Sequence, residues 1–115
     1  MDDFTRQYIA TALWASMDLD TDDPLDENFD GKPGEFGAET LQQIKNDCQA
    51  FQERAGEMIA GRESDAGHDF WLTRNGHGAG FWDGDWPHYG EELTEISKTF
   101  GECCLYASDG KLYVA

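Results

Sequence analysis

Gly67-His68-Asp69-Phe70-Trp71-Leu72-Thr73-Arg74-Asn75-Gly76-His77-Gly78-Ala79-Gly80-Phe81-Trp82-Asp83 is the stretch that decides how the chain reads as a fold. It holds an apolar and aromatic run, a glycine-rich break and a second aromatic run. Asn75-Gly76 is the strongest short turn signal a sequence carries. The pattern predicts a β-hairpin with a loop longer than the minimal turn. Phe70 and Leu72 would share one face, Trp71 and Thr73 the other. Trp71 and Phe81 are expected to be structural. Trp86, in the turn-like Asp85-Trp86-Pro87-His88 and beside Asp83, is expected to be partly exposed.

Outward from this stretch the signals alternate between helix and strand. On its N-terminal side, residues 38–60 carry Leu41, Ile44, Cys48, Phe51, Ala55 and Met58 on one apolar stripe, which predicts a long helix stopped by Gly61. Residues 3–17 predict another helix, with Phe4, Tyr8 and Ala12 in register and Asp2 and Asp3 at the end where carboxylates suit the helix dipole. Between the two, residues 18–37 lose periodicity and read as a loop pinned by Leu25 and Phe29. An ordered loop of that length in a small domain marks function or mobility. On the C-terminal side, Tyr89, Leu93, Ile96 and Phe100 predict a helix over 89–100, ended by Gly101. Residues 103–108 and 111–115 predict a second hairpin about Asp109-Gly110. The order α-α-β-β-α-β-β gives an α+β fold in one domain, residues 1–115. Its helices are expected on one face of a small, mainly antiparallel four-stranded sheet.

Charge narrows function more than any motif does. The chain has 24 Asp and Glu against 8 Lys and Arg, a net charge of −16 on 115 residues. Asp18, Asp20, Asp22, Asp23, Asp26, Glu27 and Asp30 crowd into one short segment. Such a chain is repelled by nucleic acid and by anionic membrane, so the expected partners are basic surfaces or cations. With 7 Phe, 4 Trp and 4 Tyr it also has the material of a real core, unlike a disordered acidic tail. No basic leader or membrane-length apolar run opens the chain. Cys48, Cys103 and Cys104 read as free thiols in a reducing compartment.

Candidate chemistry sites fall away one by one. Asp18, Asp20 and Asp22 have the alternate spacing of calcium-loop ligands. However, Asp23 stands where that loop needs glycine, and Phe29 where it needs a bidentate glutamate. His68, His77 and His88 with Cys103 and Cys104 match no zinc spacing. The Asn75–Gly80 loop lacks the Gly-Lys-Ser/Thr ending of a phosphate loop and does not lead into a helix. Asp69 with His77, or Cys104 with a histidine, would need an orienting third group that no signature supplies. Trp71, Trp82 and Trp86 lack the basic groove of a single-strand binder. No catalytic residue, metal or cofactor is expected.

The Gly67–Asp83 block resembles one found in small acidic proteins of unknown function encoded by bacteriophages and prophages. Phe4 to Trp14 is similar to their first helix, Leu25-Asp26-Glu27-Asn28 to their acidic loop, Glu39-Thr40-Leu41 to the start of their second helix, and Asp109-Gly110-Lys111 to their final turn. The chain departs from that pattern at Gly31–Gly37 and at Gly84–His88. The resemblance implies phage origin and a role in the host cytoplasm, and it supplies no catalytic residues. By analogy with acidic phage proteins that block restriction or CRISPR complexes, the expected function is inhibition by nucleic-acid mimicry. The partner would be a basic nucleic-acid-binding host protein or complex, with no direct contact to nucleic acid. The expected contact residues are the seven acids above with Glu53, Glu57, Glu91, Glu95 and Trp86. A phage accessory protein held by aromatic contacts near Trp86 is the alternative, followed by a small enzyme or a ligand binder using the glycine-rich loop.

Overall fold

The carboxylate of Asp2 accepts the Thr5 N–H at 2.8 Å and starts helix α1, Asp3–Ala15. In the computed structural model, which describes residues 1–115, three more helices follow: α2 (Ala38–Ala55), α3 (Glu63–Arg74) and α4 (Gly90–Lys98). Strands β1 (Met17–Asp18) and β2 (Asp23–Pro24) pair antiparallel after α1. Strands β3 (Leu105–Ser108) and β4 (Lys111–Val114) pair antiparallel at the C-terminus. The fold is α+β, as the sequence predicts. Its strands form two separate two-stranded sheets rather than one four-stranded sheet.

The missing strands are the correction that matters most. His68 to Arg74 is not half of a hairpin; it is the body of α3, and residues 75–89 form turns. Asn75-Gly76 ends this helix. The Gly76 N–H bonds the Thr73 carbonyl at 3.3 Å, and the His77 N–H bonds the Leu72 carbonyl at 3.0 Å, with Gly76 at φ 69°. That pair of bonds is the Schellman cap, in which glycine takes the left-handed conformation other residues resist. Glu63 and Asp65, in what reads as an acidic link, occupy the first turn of α3, where the helix dipole favours them. Every residue from Asp69 to Arg74 is buried, so the second half of the helix has no wet face to mark its period.

Helix α3 lies at the centre because α1 can approach it closely. Gly67 faces the Phe4 carbonyl, and a Cβ there would overlap that oxygen. Around the crossing the aromatic rings interlock. Phe51 of α2 stacks on Phe70 at 4.3 Å between centroids, and Phe4 and Phe81 flank Phe51 at 5.5 and 5.6 Å. Each such buried ring stabilises the fold by about 1.5–3 kcal/mol. Leu25 is fully buried and fixes the 18–37 segment to this core, as its sequence position implies. In the C-terminal hairpin both Asp109 (φ 52°) and Gly110 (φ 77°) are left-handed, as a type I′ turn requires.

One buried cation joins the helices. The Arg74 guanidinium donates to the Tyr8 hydroxyl of α1 at 3.0 Å and to Asp47 Oδ2 of α2 at 3.0 Å. It also donates to the carbonyls of Gly101 (2.9 Å) and Phe100 (3.1 Å) beyond α4. The Arg74 side chain is 4% exposed, so these partners replace water almost entirely.

Two outcomes test this account. Gly67→Ala should lower stability by about 3 kcal/mol, at the upper end for an overpacked site, while Gly34→Ala, with open space around it, should have little effect. Urea unfolding midpoints compare them, and equal midpoints would contradict the close crossing. Arg74→Ala should destabilise by about 3–5 kcal/mol because it strands a buried partner set. Arg74→Lys should recover only part of the loss, since an ammonium lacks the planar fork that reaches four acceptors.

Candidate partner-binding surface

The positive side chains are largely engaged within the protein. Arg6 pairs with Asp3 at 3.5 Å and Lys32 with Asp30 at 3.7 Å. Arg54 donates to Thr99 and Lys111 to the Gly34 carbonyl. Arg62 lies 3.9 Å over the Trp86 ring and also pairs with Asp65. Arg74 is buried on Asp47. Twenty of the twenty-four carboxylates therefore make no ion pair.

The acidic segment is an ordered turn. Strands β1 and β2 bracket Leu19–Asp22, and Asp18 holds the turn from inside. Its carboxylate accepts the Asp20 N–H at 3.0 Å and the Asn28 side-chain amide at 3.0 Å. Its backbone carbonyl accepts from Thr21 and Asp22. Asp18 is only 8% exposed, so it shapes the segment rather than presenting charge. Asp20, Asp22, Asp23, Asp26, Glu27 and Asp30 are all exposed, and only Asp30 has a cation partner. Asp22 takes a positive φ of 58°, a conformation in which aspartate is among the better-tolerated side chains.

The other expected contact residues divide. Glu91 and Glu95 stand exposed one turn apart on α4, lining a shallow groove of about 380 Å³ with Trp82. Glu53 is exposed near the end of α2. Glu57 is exposed too, but Gly56 at φ 53° breaks the helix before it. Glu53 and Glu57, both inside the helix predicted over 38–60, therefore do not stand one turn apart on a single α-helix. Trp86 is the clear correction. It is 5% exposed, T-stacked on Phe81, and its indole N–H donates to Asp69 Oδ2 at 2.7 Å. The aromatic surface of that loop is Trp82, 55% exposed.

Sequence reading missed a second feature, a cleft of about 750 Å³ between the β1 turn and β3. The ends of α1 and α3 contribute Ala15, Trp71 and Asn75 to its wall, while Asp18, Asp20 and Glu102 give it negative charge. Met17, Leu19 and Tyr106 also line it and are 48%, 85% and 39% exposed. Trp71, in its lining, is buried with its indole N–H unpartnered. An unmade buried hydrogen bond costs about 1–3 kcal/mol. The exposed leucine in an acidic run was the available signal, and charge overshadowed it.

Of the groups considered for catalysis, His77 and Cys104 are exposed, while Asp69 is engaged within the fold. Asp69 serves Trp86, and His68 bonds the Thr11 hydroxyl at 2.7 Å. Burial pushes the Cys48 and Cys103 thiols up, away from the reactive thiolate. No helix is long and apolar enough to cross a membrane. No family model, curated protein or solved structure matches the chain.

Burial also raises the Asp69 carboxyl above its ordinary value of 3.8, against the opposing pull of the Trp86 hydrogen bond. The native state therefore holds this proton more tightly than the unfolded chain does. The stabilising contribution is complete below the unfolded value and lost as pH rises through the raised native one. Asp69→Asn, which keeps an acceptor for Trp86, should be at least as stable as the parent at neutral pH. As the medium is acidified the parent should gain relative to the variant. Paired urea titrations across that range measure it; a parent that loses ground in acid would contradict the burial argument.

Proposed function

We propose that this protein is an inhibitor that binds a basic, nucleic-acid-handling protein or complex by presenting an acidic surface in place of nucleic acid. The observation that carries the reading is the unneutralised charge: twenty carboxylates outside any ion pair, of which only Asp18 and Asp69 are buried, on a chain whose cations are mostly engaged internally. The exposed acids of the Asp20–Asp30 turn and the Glu91 and Glu95 pair on α4 supply the field. Like charges one helical turn apart repel until a basic partner relieves them, so they weaken the free protein and reward binding. The same repulsion disfavours contact with nucleic acid itself. The resemblance of the Gly67–Asp83 block to phage and prophage proteins supports a phage-encoded role in the host cytoplasm, with a restriction or CRISPR complex as the type of target. The proposal assigns no catalytic residue.

Replacing Asp20, Asp22, Asp23 and Asp26 with Asn should slow association and weaken binding to the partner without unfolding the domain. Asp18 stays out of this set because it holds the turn together. The partner is identified by pull-down from host extract and mass spectrometry, then studied as a purified protein. Binding should weaken with salt, because surface charges are screened over about 8–10 Å at physiological ionic strength. It should also be displaced by the partner's own DNA or RNA. A purified partner that binds equally well at low and high salt, and alongside its nucleic acid, would reject the mimic. That result would favour an accessory protein held by apolar contacts.

A further inference from the structure

We propose that the cleft between the β1 turn and β3 is a docking slot for an extended segment of a basic protein, one with an apolar side chain between lysines or arginines. The proposal rests on the reading above for the sign of the partner's charge, and it adds a second contact of different chemistry.

Three observations converge on the slot. The first is an open strand edge. Cys104 and Ala115 exchange both backbone bonds, at 3.1 and 2.9 Å. Antiparallel pairs alternate between bonded and non-bonded, and the register sets Leu105 opposite Val114 and Ala107 opposite Leu112. Leu105 and Ala107 therefore turn their N–H and C=O groups away from β4. The outer edge of β4 is already used, since Leu112 accepts the Gly37 N–H at 3.0 Å. The edge of the C-terminal sheet that lacks a partner strand is thus β3, whose Leu105, Tyr106 and Ala107 line the cleft; Leu105 is buried, so Ala107 is the position an added chain can pair with. An added strand is a recurrent way to bind an extended peptide.

The second observation is the apolar rim. Leu19 is 85% exposed at the tip of a turn that Asp18 fixes in place, with Met17 and Tyr106 also lining the cleft. The third is the chemistry of the remaining lining. Trp71 borders the slot with a buried indole N–H that has no acceptor and that a ligand reaches only by a shift of its cover, while Asp20 and Glu102 supply negative charge. An anionic ligand would suit the donor but be repelled by the carboxylates. A peptide carbonyl is a neutral acceptor, and flanking lysines or arginines answer the acids. A second copy of this chain is disfavoured, because each copy carries −16.

The test uses the full chain labelled with ¹⁵N and a blocked peptide of alternating leucine and lysine. A peptide of the same length alternating leucine and glutamate is the control. Saturable shifts are expected at the Trp71 indole and at the amides of Leu19, Leu105 and Ala107 with the lysine peptide alone. Leu19→Ser should leave the free spectrum otherwise unchanged and weaken peptide binding by about fivefold, the loss of one apolar anchor. Shifts confined to Asp22–Asp30 and α4, equal shifts with the glutamate peptide, no shifts, or dimerisation through this face would each overturn the slot. The purified natural partner separates the two proposals. If Leu19→Ser binds it as the parent does while a variant with Asp22, Asp23 and Asp26 replaced by Asn fails, the slot falls and the mimic stands. If Leu19→Ser and a β3-edge substitution, Ala107→Pro, both weaken it while nucleic acid does not compete, the slot stands and the mimic falls.

Discussion

The fold hangs on a single positive charge in its interior. Arg74 comes from the last turn of α3 and reaches α1 through Tyr8, α2 through Asp47 and the segment after α4 through two carbonyls. The Phe70 and Phe100 rings lie 5.4 and 5.8 Å from the same guanidinium. Burial of a cation is tolerated only where its donors are met. The arrangement of these elements is therefore constrained by one geometry, in a chain that otherwise has a large excess of negative charge. Burial, foremost, and the nearby Cys103 thiol hold the Tyr8 phenol well above its ordinary range, so it stays neutral beside Arg74.

A division of labour follows. The Gly67–Asp83 block has the density of side chains expected of an active site, yet most of its polar groups serve the fold. Thr73 accepts the Phe81 N–H, Asn75 accepts the Cys103 N–H, and Asp69 accepts from Trp86. These contacts tie the long turn after α3 and the segment before β3 to the central helix. Unmatched charge is spread over much of the surface, with its densest exposed groups on the Asp20–Asp30 segment and α4.

How much the sequence revealed depends on how locally each element is determined. Helix α2 was legible because Ile44, Cys48, Phe51 and Ala55 bury one stripe of an otherwise wet helix. The C-terminal hairpin was legible because Asp109-Gly110 forms its turn with no help from distant residues. Helix α3 was not, because neighbours cover Asp69–Arg74 on every side and erase there the periodicity that marks a helix. Asn75-Gly76 added to the error, since left-handed glycine ends a helix as readily as it turns a hairpin. The burial of Trp86 depends on Asp69 and Arg62, both far along the chain, and no local pattern announces them. Of the candidate surface, the exposed acids were legible from composition. The structural role of Asp18 and the cleft beside it were not, because both arise only when β1 is brought near the C-terminal sheet.

The backbone contact at Gly67 has a consequence for recognition. With no side chain between them, α1 and α3 cannot slide without driving a neighbouring residue into the Phe4 carbonyl. The C-terminal ends of both helices contribute to the wall of the cleft, so this close contact holds those two parts of the wall at a fixed spacing. For the docking proposed above, an incoming chain would surrender its own freedom on binding, while this part of the wall would have little left to lose.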